Sequence, residues 1–117
     1  MSKHESKKAA IASRLRIARE EAGLSQGQIA KLLSLQRPSI SEMEAGRRNV
    51  TAPELARLAE VYGVSVSWLA CEDAPDVDPI RDRIELAARE LSKLKPEDMQ
   101  RVLRVLKTLR QAGSSTT

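Results

Sequence analysis

The side chains able to do acid–base, nucleophilic or metal chemistry are few in this sequence, and they stand apart. His4 is the only histidine and Cys71 the only cysteine, so no nucleophile has a nearby base. Glu42 and Glu44 fall on one predicted helix, whereas a catalytic carboxylate pair must face each other across a substrate. The sequence also lacks a glycine-rich phosphate loop and a cluster of metal ligands. We therefore predict a protein that is not an enzyme and has no cofactor or metal.

The single cysteine excludes an internal disulfide. Beside Trp68 and Leu69, we expect Cys71 to be a small buried hydrophobic residue. A reactive thiol needs a basic neighbour, and here the neighbours are Glu72 and Asp73.

Basic residues are concentrated in the first half of the chain. The formal net charge is +4, and residues 1–50 hold ten Lys or Arg against five Asp or Glu. The stretch 72–79, in contrast, has four acidic residues and no basic one. A basic region of this kind favours a polyanionic partner, although a face that is merely solvated has the same composition.

Two short helices are predicted between Leu24 and Gly46. Ser25 and Gln28 have the spacing of a capping box, which starts the first helix. Residues 34–36 interrupt the pattern, and the second helix stops at Gly46. The inward apolar faces consist of Ile29, Ala30, Leu32 and Leu33 in the first helix and Ile40 and Met43 in the second. Helices this short need packing neighbours, and a second helix held outward by them can enter the major groove of DNA.

Further helices are predicted on both sides of this pair. An apolar face at helical spacing precedes Gly23 and consists of Ile11, Leu15, Ala18 and Ala22. Ile17 falls off that face, so it is either a scattered surface residue or a contact for the C-terminal extension. Thr51 and Glu54 form a second capping box, and Ser65 is placed to cap a short helix after it. With one Trp, one Tyr and no Phe, the core must be aliphatic.

The stretch from Leu24 to Asn49 resembles the helix-turn-helix of the phage repressor and Cro class, the xenobiotic-response-element family of small transcription regulators. The matching positions are Leu24, Ser25, Gln26, Ile29, Ala30, Leu33, Ile40, Ser41, Glu44, Gly46, Arg47, Arg48 and Asn49. The resemblance covers roughly the first 70 residues, the length of a small domain. It implies an all-α fold with a five-helix DNA-binding bundle over residues 9–71, and the apolar periodicity beyond that bundle predicts a two-helix extension.

The resemblance also implies roles for individual residues in binding double-stranded DNA. The expected base readers are Arg37, Pro38, Ser41 and Glu42; arginine suits guanine, and glutamate can accept from cytosine. The residues expected to bind the DNA backbone are Gln26, Gln36, Ser39, Arg47, Arg48 and Asn49. Glu44 is expected to be structural and to pair with Arg19 of the first helix.

Two positions depart from the usual pattern of this motif. Ser34 lies in the turn, where glycine is common, and is strained if its φ is positive. Pro38 lies near the start of the second helix, and the residue before a proline avoids the helical region. We therefore expect Arg37 to be the helix cap rather than the first helical residue.

The remaining segments are predicted from composition and periodicity. Residues 1–8 are expected to form a mobile basic arm, 72–79 an acidic linker, 80–112 a helical hairpin and 113–117 a tail. The hairpin carries an apolar stripe, assigned to dimerisation, that consists of Ile84, Leu91, Met99, Val102, Leu103, Leu106 and Leu109. The alternative is a hairpin that folds back on its own domain.

The sequence is thus interpreted as a dimeric, sequence-specific DNA-binding regulator, a repressor that occupies a palindromic operator. The alternative is an antitoxin that regulates its own promoter and binds a protein partner through the C-terminal helices. A ligand sensor lacks a sizeable extra domain to form a pocket. No apolar segment is long enough to span a membrane, and no signal peptide is evident, so a cytoplasmic location is expected.

Overall fold

Helices make up all the regular structure that the computed structural model describes, which covers residues 3–73 and 77–115. The helices are α1 (Lys3–Glu21), α2 (Gln26–Leu33), α3 (Arg37–Glu44), α4 (Ala52–Tyr62), α5 (Val66–Leu69), α6 (Pro79–Ser92) and α7 (Pro96–Ser115). The chain divides into two compact units, Met1–Arg83 and Ile84–Thr117. In the first unit α1 packs on α3 and α5, α2 packs on α3, and α4 packs on α5. The predicted all-α fold is confirmed.

The first and last helices are longer than the sequence predicted. Helix α1 begins at Lys3, so residues 3–8 are helical where we expected an arm; residues 1–2 lie outside the described part of the chain. Helix α7 continues to Ser115, where we expected a tail from residue 113, and residues 116–117 are not described. Neither segment contains proline, the residue that most strongly stops a helix, so each helix continues through them.

The core of the first unit is aliphatic, as the composition predicted. Its fully buried side chains include Leu15, Ile29, Ile40, Met43, Leu58 and Leu69. Ile17 is also buried, at 3% exposure, although the periodicity placed it off the apolar face. Ile17 is therefore not a scattered surface residue, and α1, which contacts two helices, buries more than one stripe. Ala22 is exposed, since α1 ends before it.

Side-chain caps fix the residues at which α2, α4 and α5 begin. The Ser25 hydroxyl accepts from the backbone N–H of Gln28 at 3.1 Å, and the Gln28 side chain accepts from the N–H of Ser25 at 2.7 Å. Thr51 and Glu54 make the same reciprocal pair, at 3.2 and 2.9 Å. Ser65 accepts one backbone N–H at the start of α5, at 3.1 Å. Both predicted capping boxes and the Ser65 cap are confirmed.

The turn between α2 and α3 depends on Ser34, which has φ +56° and ψ +40°. Its N–H donates to the carbonyl of Lys31 at 3.2 Å, and the N–H of Leu35 donates to that of Ala30 at 2.8 Å. These two bonds are the pattern that ends many helices in a left-handed residue. A residue with a Cβ pays roughly 1–2 kcal/mol for this conformation, so the turn carries the strain expected of serine at this position.

Arg14 of α1 is a buried charge that the sequence reading missed. Its Nη1 donates to the backbone carbonyl of Trp68 at 2.6 Å and to Asp73 at 2.8 Å. Its Nη2 donates to Asp73 at 3.2 Å and forms an ion pair with the buried Asp82 at 3.1 Å. The guanidinium also lies over the Trp68 ring, 4.7 Å from its centroid. Burial alone would lower the pKa of Arg14, but the two carboxylates raise it, and the charge is retained.

Arg14 holds the segment that was predicted to be a free acidic linker. Asp73 lies within that segment and Asp82 follows it, and both carboxylates bind the same guanidinium. The first compact unit accordingly extends to Arg83. Residues 74–76 of the predicted linker lie outside the described part of the chain. A charged residue inside a helix is usually solvated, which is why the sequence did not indicate this anchor.

The Glu44 carboxylate joins the first three helices. Arg19 of α1 donates to it from two nitrogens, at 2.8 and 3.0 Å, and Gln26 of α2 donates to it at 3.1 Å. Arg19 also donates to the carbonyl of Leu24, between α1 and α2, at 2.9 Å. The hydrogen bond to Glu44 raises the pKa of the Arg19 guanidinium. One ion pair therefore fixes α3 against the helices before it.

We expect Arg14→Met to lower the free energy of unfolding by roughly 3–5 kcal/mol, because it removes the nearer cation of the buried Asp82 and leaves only Arg81, at 3.7 Å, among the ion pairs that the structure describes for it. Urea denaturation followed by circular dichroism measures the change. The matched control is Arg16→Met on the same helix, since Arg16 is exposed and pairs with Glu20 across one turn. Equal stability of the two variants would contradict the anchoring role of Arg14.

We expect Glu44→Ala to destabilise the protein by about 3 kcal/mol, near the lower end for breaking a buried pair, because Arg19 keeps partial access to water. The double variant Arg19→Met with Glu44→Leu should lose much less. The control is Glu42→Ala, which breaks an exposed pair on the same helix. A Glu44→Ala protein that melts like the unaltered one would rule out the proposed role.

Candidate nucleic-acid interface

Helices α2 and α3 form a packed pair joined by residues 34–36. Ile40 and Met43 of α3 are buried, and both sit on its inward side as predicted. Arg37 and Pro38 are exposed in the first turn of α3, while Ser41 and Glu42 are partly exposed one turn later. The four residues predicted to read bases thus lie on the part of α3 that solvent reaches.

Arg37 is the first residue of α3, which corrects the expectation that it caps the helix. The cap is Gln36, whose backbone is extended at φ −81° and ψ 147° and whose side chain makes no capping bond. The carbonyl of Gln36 accepts from the N–H of Ser39 at 2.9 Å. Pro38 fits at the second helical position because that N–H would have no intrahelical partner. This favourable placement of the proline outweighs the preference of the preceding residue for extended backbone.

Glu42 and Arg47 form an ion pair with each other. Two nitrogens of Arg47 donate to the two carboxylate oxygens of Glu42, at 2.7 and 3.2 Å. The hydrogen bond from Arg47 lowers the pKa of Glu42. An exposed pair of this kind adds little stability, so either side chain can exchange its partner for another at small cost. A predicted base reader and a predicted backbone contact are therefore coupled.

Arg48 is likewise engaged with a carboxylate, that of Glu54, at 3.0 Å. Partial burial opposes ionisation of Glu54, but hydrogen bonds from Thr51 and Arg48 lower its pKa overall. Glu54 belongs to the capping box of α4, so Arg48 is held at the start of that helix. Asn49 is exposed beside it. The segment between α3 and α4 thus presents two arginines and an amide, and each arginine is ion-paired with a glutamate of the same chain.

Gln26 and Ser41 line one open hollow of about 310 Å³ together with Arg16, Arg19, Glu44 and Ala45. Gln26, expected at the DNA backbone, also donates to Glu44, so its position is fixed within the bundle. Arg16 is an exposed cation that sequence reasoning missed. The sequence could have indicated Arg16, because it lies one helical turn before Arg19 and residues three apart share a helix face. Ser39, which was also predicted to contact the DNA backbone, is partly buried.

Cys71 takes no part in this surface. Its side chain is buried, and burial raises the pKa of the thiol to about 11. A thiol that stays protonated is a poor nucleophile. Cys71 is thus a buried, unreactive side chain, as the sequence predicted.

The residues predicted to dimerise lie on α6 and α7. Leu91, Met99 and Val102 are partly buried, whereas Ile84, Leu103, Leu106 and Leu109 are exposed. Val105, which the prediction omitted, is exposed as well. The apolar surface of α7 is therefore wider than the predicted stripe.

Two kinds of feature are absent from residues 3–73 and 77–115. These residues contain no group of three or more His, Cys, Asp or Glu side chains arranged to hold a metal ion. None of their helices has the length and apolar character that crossing a membrane demands.

Comparisons with known proteins agree with the geometry of α2 and α3. HTH-type transcriptional regulator RamB of Mycobacterium tuberculosis (strain H37Rv) is 33% identical over 63 residues, which cover 54% of this chain and 13% of RamB. HTH-type transcriptional regulator DicA of Escherichia coli K12 is 29% identical over 92 residues, covering 77% of this chain and 68% of DicA. The chain thus spans only a small fraction of the length of RamB.

A family model described as "Helix-turn-helix domain" matches residues 10–69. The match contains α2, α3 and the turn at Ser34, together with the Arg19–Glu44 pair that holds them. It covers more than half of the chain's 117 residues. The predicted resemblance is confirmed, and the chain belongs to the helix-turn-helix domain family.

Proposed function

We propose that this protein is a sequence-specific DNA-binding transcription regulator, a repressor that occupies a palindromic operator as a homodimer. The observation that carries the proposal is the exposed first turn of α3. There Arg37 makes no ion pair or side-chain hydrogen bond with any other residue that the structure describes. RamB and DicA, both named as HTH-type transcriptional regulators, support the same assignment.

Arg37 is the residue proposed to select a base pair. A guanidinium can donate two parallel hydrogen bonds to guanine in the major groove. Because Arg37 is not ion-paired with any carboxylate in the described part of the chain, it can bind a base without first breaking an ion pair. Ser41 and Glu42, one turn further along α3, supply a hydroxyl and a carboxylate for adjacent bases.

Arg47 and Arg48 are proposed to bind phosphates. Each already holds a carboxylate, from Glu42 and Glu54 respectively, and a phosphate presents the same kind of charged oxygens. When Arg47 moves to a phosphate, Glu42 becomes free to accept from cytosine. Backbone binding and base reading are then linked through one ion pair.

The second compact unit is proposed to form the dimer. Ile84, Leu106 and Leu109 are 63%, 50% and 63% exposed, a wide apolar surface for a single chain to leave in water. A second copy related by a two-fold axis would cover it with an identical surface. Such a dimer would present two α3 helices to half-sites roughly 34 Å apart, one turn of DNA.

An antitoxin role remains the alternative, because the same apolar surface could bind a different protein. The two assignments differ in the mass of the purified protein. A homodimer whose mass is the same with and without a candidate partner favours the repressor, whereas a dimer that gains the mass of a partner through the C-terminal helices favours the antitoxin.

We expect Arg37→Ala to reduce discrimination at one base pair by about 1–3 kcal/mol, and Arg48→Ala to weaken all sequences alike and lower the salt slope by about one phosphate. Binding titrations against operator and random duplexes at several salt concentrations measure both effects. Lys95→Ala, which removes an exposed cation between α6 and α7, is the control. Equal losses on operator and random DNA for Arg37→Ala would disprove its base-reading role.

We expect the double variant Leu106→Asp with Leu109→Asp to be a monomer in sedimentation experiments, with the helicity of the first unit retained. Its operator affinity should fall steeply, since the second half-site is no longer held at high effective concentration. Gln111→Asp, which places the same charge on an exposed polar position of α7, should remain dimeric. If the double variant still dimerises at the same concentrations, the interface lies elsewhere.

A further inference from the structure

A hollow of about 220 Å³ opens between the first part of α1, the end of α3 and the segment that leads to α4. Its apolar lining comes from Ile11, Met43 and Val50. Met43 is buried in the core, so the hollow reaches down to the packed side of α3. We call this feature the α1–α3 hollow.

The size and lining of the α1–α3 hollow suit a small apolar body. A dry cavity of about 150 Å³ holds a benzene molecule, so 220 Å³ leaves room for a somewhat larger group, such as a two-ring aromatic. Methionine adapts its shape and makes favourable contacts with aromatic rings. Small-molecule sites typically combine a largely apolar lining with a few polar groups.

The rim of the α1–α3 hollow is basic. Lys7 and Lys8 stand on the α1 side and Arg48 on the other. Neither lysine has an ion-pair partner in the part of the chain that the structure describes. Arg48 donates from both terminal nitrogens to Glu54, at 3.5 and 3.0 Å, so a bound carboxylate would share this guanidinium with Glu54. Three cations around an apolar floor match a ligand with one anionic end and one apolar end.

We propose that the α1–α3 hollow binds a small apolar molecule that carries a carboxylate. The apolar body occupies the floor of Ile11, Met43 and Val50, and the carboxylate lies at the two lysines and Arg48. The sequence analysis argued against a ligand sensor because the chain has no sizeable extra domain, whereas the α1–α3 hollow lies within the bundle itself.

The α1–α3 hollow shares Arg48 and Asn49 with the residues proposed to bind the DNA backbone. A carboxylate bound at Arg48 would occupy the guanidinium that is proposed to bind a DNA phosphate, and it would add negative charge next to the DNA strand. It should therefore weaken DNA binding, and DNA should weaken binding of the ligand by the same factor. This coupling rests on the proposed function, whereas the site itself does not.

The site is tested with the full-length protein in the absence of DNA. Isothermal titration calorimetry with naphthoate should show saturable binding, whereas naphthalene methanol and inorganic phosphate should each bind at least several-fold more weakly. The first comparison removes the charge, and the second removes the apolar body. Phosphate binding as tight as that of naphthoate, or no binding of naphthoate at millimolar concentration, overturns the proposal.

Variants then locate the site. The double change Lys7→Gln with Lys8→Gln should weaken naphthoate binding by about three- to tenfold, the range that two solvent-accessible ion pairs supply. Lys31→Gln removes an exposed lysine of α2 outside the hollow and should leave binding unchanged. Identical naphthoate affinity for both variants overturns the assignment to this hollow.

DNA titrations in saturating naphthoate test the coupling. DNA affinity should fall for the unaltered protein and fall less for the Lys7→Gln, Lys8→Gln variant. Unchanged DNA affinity overturns the coupling, while the calorimetric result still decides the site. A protein that binds naphthoate but no DNA would instead overturn the proposed function.

Discussion

The carboxylate of Glu44 is the contact on which the placement of α3 depends. It receives two hydrogen bonds from Arg19 and one from Gln26, so α1, α2 and α3 meet at a single acidic group. The two short helices of the motif pack on each other, but isolated helices of eight residues are unstable in water. The Arg19–Glu44 ion pair therefore fixes the orientation of α3, whereas the aliphatic core supplies the buried apolar surface. The rigid planar fork of Arg19 gives α3 a defined direction, which apolar packing alone specifies less sharply.

Local sequence signals predicted much of this architecture. The capping boxes at Ser25 and Thr51 act within four residues, so their chemistry is legible from spacing alone. The strain at Ser34 followed from its place in the turn. Arg14 could not be predicted in this way, because its partners Asp73 and Asp82 are distant in sequence and become neighbours only when the chain has folded.

The sequence predicted which residues belong to the candidate interface, but it did not predict which of their side chains form ion pairs. The family resemblance gave Arg37 as a base reader and Arg47 and Arg48 as backbone contacts; in the structure the first is exposed and the other two are paired with carboxylates. Pairing depends on side-chain direction, which residue spacing does not specify. Ile17 illustrates the same limit for the core: periodicity describes one stripe of a helix, whereas α1 has neighbours on two sides.

The pairs Arg47–Glu42 and Arg48–Glu54 have a consequence for how such a protein would search a chromosome. Under the proposed function, each glutamate would be a tethered counter-ion that a phosphate must displace, so each arginine would gain less from any DNA sequence than an unpaired arginine. Residence on arbitrary sequence would then be shorter than for a protein whose arginines are unpaired. The proposed base contact of Arg37 would add affinity at the operator alone, so the ratio between specific and arbitrary binding would rise.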